Sequence, residues 1–249
     1  MLKEKLLIHI PHTSLDVPDF FIEKLLISKK EFAKENFSSA DMYLDLLVSD
    51  LKMKTIIFPY SRLFCDVERF VDDNKEEMAR LGMGVVYTNT VDGKKLIESS
   101  SEYKNFIIEN FYIKHHNEFQ NEVEKIISKY KECYIIDLHS FSDALVVKLL
   151  NSKDNPDVCI GVDEDFKDEK FIKLTVTFFE KAGLKVKINY PYRGSIVPNK
   201  FYYAKDTRVK SIMIEINKRL YLDANGLKNE NFNKLKTVIS EYFEELSNY

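Results

Sequence analysis

The apolar positions of this chain fall into short continuous runs separated by amphipathic stretches. The sharpest change from one to the other lies in CYIIDLHSFS, Cys133 to Ser142. A continuous apolar run bounded by polar residues is the pattern of a parallel strand covered on both faces. Open α/β sheets place their ligands at the carboxyl ends of such strands. Strand side chains alternate, so Asp137 and His139 leave the backbone on one side while Leu138 turns away. His139 is therefore the first candidate for chemistry, and its alternative is a capped strand end with a hydrogen-bonded histidine.

The rest of the pattern predicts strands alternating with helices. Leu6 to Ile10 reads as a strand ending in the polar turn Pro11-His12-Thr13-Ser14. Asp19 to Glu35 has helical spacing, and Ser38 and Ser39 offer a cap for a second helix beginning near Asp41, with Leu44, Leu47, Val48 and Leu51 as its apolar stripe. Thr55 to Tyr60 and Gly84 to Thr90 read as strands, and Lys95 to Lys131 as a long helical region. Ala144 to Leu150 and Val158 to Val162 read as further strands. A helix from Asp168 to Ala182 ends at Gly183, and Leu184 to Tyr190, with one wet face, reads as a strand toward an edge. Ser211 to Lys218 is a second central-strand candidate, followed by a helix from about Asn229 to Leu246. Such alternation predicts an α/β fold with a sheet of mixed direction and helices on both faces.

Composition narrows the class. A chain of 249 residues with 45% hydrophobic positions can bury a full core, and we expect one domain over residues 1–249. Its 37 basic and 40 acidic side chains are interspersed, which leaves no basic footprint for nucleic acid or an anionic membrane. The amino-terminal apolar run is interrupted by His9 and Pro11, too short for a signal segment, and no apolar stretch has the roughly 18 residues of a membrane span. Three widely spaced cysteines, Cys65, Cys133 and Cys159, suit a reducing cytoplasm better than a disulfide framework. A small-molecule partner is the expectation.

The candidate chemistry sits near predicted strand ends. His12 follows the first strand as His139 ends its own. Glu215, flanked by Ile214 and Ile216, must be paired or functional with a perturbed pKa. In SRLFCDVERF, Arg62 and Arg69 need partners, either a substrate carboxylate gripped through two parallel hydrogen bonds or Asp66 internally. Arg193, in the loop Asn189 to Ser195, can reach an anionic ligand. Asp41 is either a helix-dipole partner or a ligand. His115 and His116, adjacent on a helix, cannot both face one site. Two histidines with a carboxylate form a usual catalytic zinc set, although HExxH and HxxE spacings are absent.

In order along nearly the whole chain, PHTS with Pro18, Asp41-Met-Tyr-Leu-Asp45, SRLFCDVER, GVVYTNTVDG, the segment around Tyr112 and His116, Asp137 to Ser140, NYPYRGS and IEINKRLY resemble the motifs of the N-formylglutamate amidohydrolase family. That resemblance implies a mostly parallel mixed sheet flanked by helices, related to the zinc carboxypeptidase (phosphorylase/hydrolase-like) fold. It implies one zinc ion per chain, or another divalent metal in its place, held by His12, Asp41 and His139, with Asp16 the competitor for the acidic position. Glu215 would be the general base and acid, and Arg62 would polarise the carbonyl or hold a carboxylate. Arg69, Asn189 and Arg193 would bind substrate, N-formyl-L-glutamate or another N-acyl amino acid, in a cytoplasmic reaction of histidine degradation. Asp137 would orient a ligand histidine. Glu68, Ser195 and Thr13-Ser14 depart from the family pattern. Two alternatives remain: a zinc amidase for another acyl or peptide substrate, and a non-catalytic small-anion-binding protein on the same fold.

Overall fold

Strands form where the apolar runs are continuous. In the computed structural model, which describes residues 2–151 and 154–248, the strands are β1 (Leu6–Ile10), β2 (Lys54–Ile57), β3 (Cys133–Phe141), β4 (Val158–Val162), β5 (Val186–Ile188) and β6 (Val209–Asn217). They make one six-stranded sheet in the order β2-β1-β3-β6-β4-β5. β1, β3 and β6 run parallel, β4 runs antiparallel to β6, and β5 runs parallel to β4. The fold is thus α/β, with a mostly parallel mixed sheet flanked by helices. Every residue of β1, β3 and β4 is buried, as covered strands with continuous apolar runs require. β5 is only half covered, as its alternating lysines predict.

The chain forms two compact units. The first, Met1–Ile10, Tyr43–Ile56 and Gln120–Tyr249, carries the sheet. Its helices Glu169–Lys181 and Phe232–Asn248 meet through Phe179 and Tyr242, whose rings are 5.0 Å apart. The Tyr242 hydroxyl is buried there but bonded to Thr175 Oγ1 at 2.8 Å, so this apolar contact leaves no unsatisfied polar group at that point.

The second unit, Pro11–Met42 and Ile57–Phe119, is mostly irregular. Its core is aromatic: Phe64 meets Phe111 at 4.8 Å and Phe21 at 5.5 Å, both edge-on. Such pairs add about 0.5–1.5 kcal/mol each beyond area burial. Its helix Lys29–Ser39 starts with a capping box, in which Ser28 Oγ accepts the Glu31 N–H while Glu31 accepts the Ser28 N–H.

Several predicted boundaries move, each for a local reason. The helix expected over Asp19 to Glu35 is two, Asp19–Ile22 and Lys29–Ser39, because the Ser28 cap starts a new helix and the Leu26 N–H bonds to Leu96 O instead. Ser38 and Ser39 end that helix rather than capping the next, which begins at Leu44 after Tyr43 in the left-handed region, so Asp41 lies in the intervening turn. Gly84 to Thr90 is no strand: Gly82, at φ +77°, turns the chain so that Thr88 and Asn89 both donate to its carbonyl. Ala144 to Leu150, expected as a strand, belongs to the helix Asp143–Leu150, which Ser142 caps by accepting the Leu145 N–H. The long helical region divides into Ser101–Ile107, a π turn Ile108–Tyr112 and Ile113–Tyr130. No helix among the described residues is long and apolar enough to cross a membrane.

Candidate functional site

The sheet unit carries one half of the candidate set. Pairing register puts His139 on β3 level with Glu215 on β6, and Glu215 level with Cys159 on β4. Registered partners share a face, so three adjacent strands present a histidine, a carboxylate and a thiol in one buried row. His139 is 5% and Glu215 7% exposed, so both are shielded from bulk solvent. One row earlier, Asp137 is level with His9 on β1, and its Oδ1 takes a hydrogen bond from His9 Nδ1 at 2.9 Å. The same oxygen lies 3.1 Å from His139 Nε2. Burial opposes charge on Asp137, but His139 and His9 outweigh it and hold the carboxyl well below the usual range. Asp137 thus stands between the imidazoles of His9 and His139.

The NYPYRGS loop folds back over the same strands. Cys159 Sγ contacts Tyr192 O at 3.2 Å, and Ser211 Oγ donates to Ile196 O at 2.9 Å. Gly161 is required beneath it, since a Cβ there would stand 2.3 Å from Gly194 O. Burial pushes the Cys159 thiol up to about 11, so at neutral pH it packs as a small apolar group. Asn189, at φ +54°, uses its side-chain oxygen to accept the Val162 N–H at 2.8 Å, extending the β4 ladder. Arg193 is exposed on this loop.

The second unit carries the other half. His12 is buried, and Asp66 Oδ1 pairs with its Nε2 at 2.9 Å. His12 Nδ1 faces Asp41 Oδ2 at 3.8 Å and Glu68 Oε2 at 3.7 Å. The Asp41 N–H donates to His12 O at 2.8 Å, tying the two residues through the backbone as well. Asp16, the competitor, is exposed. Arg62 grips Asp66 Oδ2 through Nη2 at 2.9 Å and Nε at 3.2 Å, and the Tyr87 hydroxyl donates to the same oxygen at 3.1 Å. Arg69 stands 3.5 Å from that oxygen. Asp66 is fully buried, which opposes its charge, yet Arg69, Arg62 and His12 keep it ionised well below the usual carboxylate range. Burial first, then the Arg62 charge, lowers the pKa of His12 and keeps the imidazole neutral, the form that ligates metal.

Of the sequence candidates, the second unit therefore brings together His12, Asp41, Arg62 and Arg69, and the sheet unit His139 and Glu215 with the loop bearing Asn189 and Arg193. Both arginines meet Asp66, the internal partner open to them in the sequence. Sequence reasoning missed His9 and the orienting role of Asp66. For His9 a signal existed, a polar residue inside a buried apolar strand, the same signal that marked Glu215. For Asp66 none existed, since 54 positions separate it from His12. His115 packs edge-on against Phe58, while His116 Nε2 bonds to Val67 O at 2.8 Å.

The donor chemistry fits a divalent metal. Two donors of one tetrahedral zinc stand about 3.4 Å apart, and the His12–Asp41 separation exceeds that by a few tenths of an ångström. Each candidate histidine also has a buried carboxylate on a ring nitrogen, the usual support for a metal ligand. His, Asp and Glu side chains grouped closely enough to hold a metal ion occur among the described residues.

The family model for N-formylglutamate amidohydrolase matches residues 4–222. The chain belongs to the N-formylglutamate amidohydrolase family. It is accordingly a hydrolase of amide bonds acting on a small-molecule substrate. The crystal structure of N-formylglutamate amidohydrolase from Ralstonia eutropha JMP134 is similar with a TM-score of 0.85 at 19% identity, covering 98% of this chain and 93% of that one. A gene product of Agrobacterium tumefaciens is similar with a TM-score of 0.69 at 15% identity, covering 98% and 89%. At these identities the likeness speaks for the amidohydrolase fold. No curated protein matches the chain.

Proposed function

We propose that this family member hydrolyses the amide of N-formyl-L-glutamate or a related N-acyl amino acid with the help of a divalent metal, zinc in the first instance. The observation that carries the reading is the buried row in which Glu215 stands level with His139, in a chain matched by the family model over residues 4–222. His12, Asp41 and His139 would hold the metal, so residues 1–249 would work as one catalytic domain. When bound, the metal supplies a Lewis acid for the acyl carbonyl and acidifies the attacking water.

The chain's own groups do the rest. Glu215 accepts the proton of the attacking water on its carboxylate and delivers it to the leaving amine nitrogen. Arg62, fixed by Asp66, donates to the carbonyl oxygen as negative charge grows there. Asp66 and Asp137 keep the two histidines in register for the metal. Arg69, Asn189 and Arg193 line the substrate side. The products are the free acid, formate for a formyl substrate, and an amino acid. With glutamate as that amino acid the reaction would belong to histidine degradation. The three free, buried cysteines support a reducing compartment, the cytoplasm, and no nucleic-acid or membrane partner is proposed.

Metal content and formate release test this together. Zinc-supplied protein should hold about one zinc per chain, as three protein ligands with one open position require, and lose it in His12→Ala and in His139→Ala. It should also release formate from an N-formyl amino acid. Wild-type protein that binds no metal and hydrolyses no N-acyl amino acid would overturn the reading.

A further inference from the structure

The peptide unit joining Val67 to Glu68 is hydrogen-bonded at both ends inside the second unit. Its carbonyl, Val67 O, lies 2.8 Å from His116 Nε2, and its N–H, on Glu68, donates to Asp66 Oδ1 at 3.1 Å. A carbonyl only accepts, so His116 carries a proton on Nε2 and is the donor. A peptide whose carbonyl accepts a bond is a better donor through its N–H. His116 therefore strengthens the hold on Asp66 Oδ1, the oxygen that also pairs with His12 Nε2 at 2.9 Å. The other oxygen of that carboxylate, Oδ2, is fixed by Arg62 and the Tyr87 hydroxyl.

The helical segment behind the peptide supplies the donor. There the π turn Ile108–Tyr112 runs into the helix Ile113–Tyr130, and such turns recur at functional positions. Tyr112 and His116 stand four positions apart on one face, with ring centroids 4.2 Å from each other. The Tyr112 hydroxyl donates to Arg69 O at 2.9 Å. Carbonyls 67 and 69 are thus both anchored to this face, so the 67–68 peptide cannot turn without breaking a bond at its own carbonyl and straining the next.

We infer that His116 is a positioning residue for His12: its hydrogen bond to Val67 O orients the 67–68 peptide, which sets Asp66 Oδ1 against the imidazole Nε2. Nδ1, the nitrogen facing Asp41 Oδ2 at 3.8 Å, is then the one presented to a metal. This rests on the reading of His12 as a metal ligand.

Zinc affinity, measured by competition with a chelator in wild type, His116→Phe and His116→Gln, separates the hydrogen bond from the shape of the ring. Phenylalanine keeps a ring beside Tyr112 without the donor, whereas glutamine offers an amide N–H in place of Nε2. His116→Phe should bind zinc about 10-fold more weakly, the lower end of the loss seen for groups that support a ligand, and His116→Gln should stay near wild type. In metal-free protein the His12 Nε2 proton, followed by NMR, should exchange with water faster in His116→Phe than in the other two. Thermal melting reports any general loss of stability separately. Zinc affinity and proton exchange unchanged in His116→Phe overturn the inference and leave the metal reading standing. Equal weakening in both variants overturns it too, because the ring and not the donor would then matter. So does a wild-type spectrum in which His116 Nε2 lacks a proton, an observation that needs no variant. Wild type that binds no zinc overturns the reading of His12 as a ligand, and proton exchange then decides the orientation of His12 by itself.

Discussion

Glu215 and Asp66 are both buried carboxylates, yet their surroundings differ. Asp66 is enclosed by cations and donors that stabilise its charged form, which makes it a fixed anion. Glu215 lies level with His139 on one side and the neutral Cys159 on the other, a setting suited to a group that exchanges protons. Glu215→Gln keeps the shape and removes the proton acceptor, so turnover should fall by about 10²–10⁴ while metal content stays at the wild-type level. Full activity in that variant would take Glu215 out of the mechanism. Asp66→Asn should behave differently. It leaves the mostly buried Arg62 and Arg69 without their acid, a change that costs about 3–5 kcal/mol when one partner of a buried pair is removed. Urea unfolding should show that loss, and metal affinity should drop by about 10–100-fold as His12 loses its support. A variant as stable as wild type would mean that Tyr87 and Glu76 already satisfy the arginines.

At the scale of elements, the same contacts decide what was legible in advance. β1, β3, β4 and β6 were readable because strands covered on both faces must be apolar throughout, which makes each polar interruption conspicuous. That is how His139 and Glu215 stood out. The helix Asp143–Leu150 was misread because its β-branched residues favour strand locally, while one Ser142 cap and tertiary context favour helix. The pairing of His12 with Asp66 and the folding of the NYPYRGS loop onto β4 depend on distant segments and leave no local trace. Gly161 tests that loop. In Gly161→Ala the new Cβ would meet the Gly194 carbonyl and Met213, so the loop must lift. We expect a loss of about 1–3 kcal/mol, typical of overpacking, and a raised KM, and an unchanged KM would remove the loop from substrate binding. The capping box gives a test in pH. Glu31 accepts from Lys94 and from Ser28, which lowers its pKa from 4.5 to about 2. A group depressed in the folded state stabilises it above the unfolded pKa and loses that contribution as pH falls through the folded value. Glu31→Gln should therefore lower the urea midpoint at neutral pH, and the gap from wild type should close between about pH 4.5 and pH 2. A gap that persists at pH 2 would assign the effect to lost packing instead.

For the whole molecule, metal is the quantity that should tie activity to stability. A ligand that binds only the native chain stabilises it by about 2.7 kcal/mol at one hundred times its dissociation constant. If His12, Asp41 and His139 together hold the ion, that increment exists only while all three donors are in place, because none of them alone makes a usual catalytic zinc set. Urea unfolding at rising zinc concentration should show the midpoint climbing in wild type and staying flat in both His12→Ala and His139→Ala. The two variants need not agree, and their disagreement is informative. An increment that survives His139→Ala but not His12→Ala would place the ion within the second unit, on His12 with Asp41 and Glu68, whose carboxylate oxygens stand 3.8 and 3.7 Å from the imidazole Nδ1. Glu68 would then be a ligand, and Glu68→Gln would flatten the zinc dependence as well. Loss in both histidine variants, with Glu68→Gln still responding to zinc, leaves Glu68 out of the ligand set and the ion on His12 and His139 together.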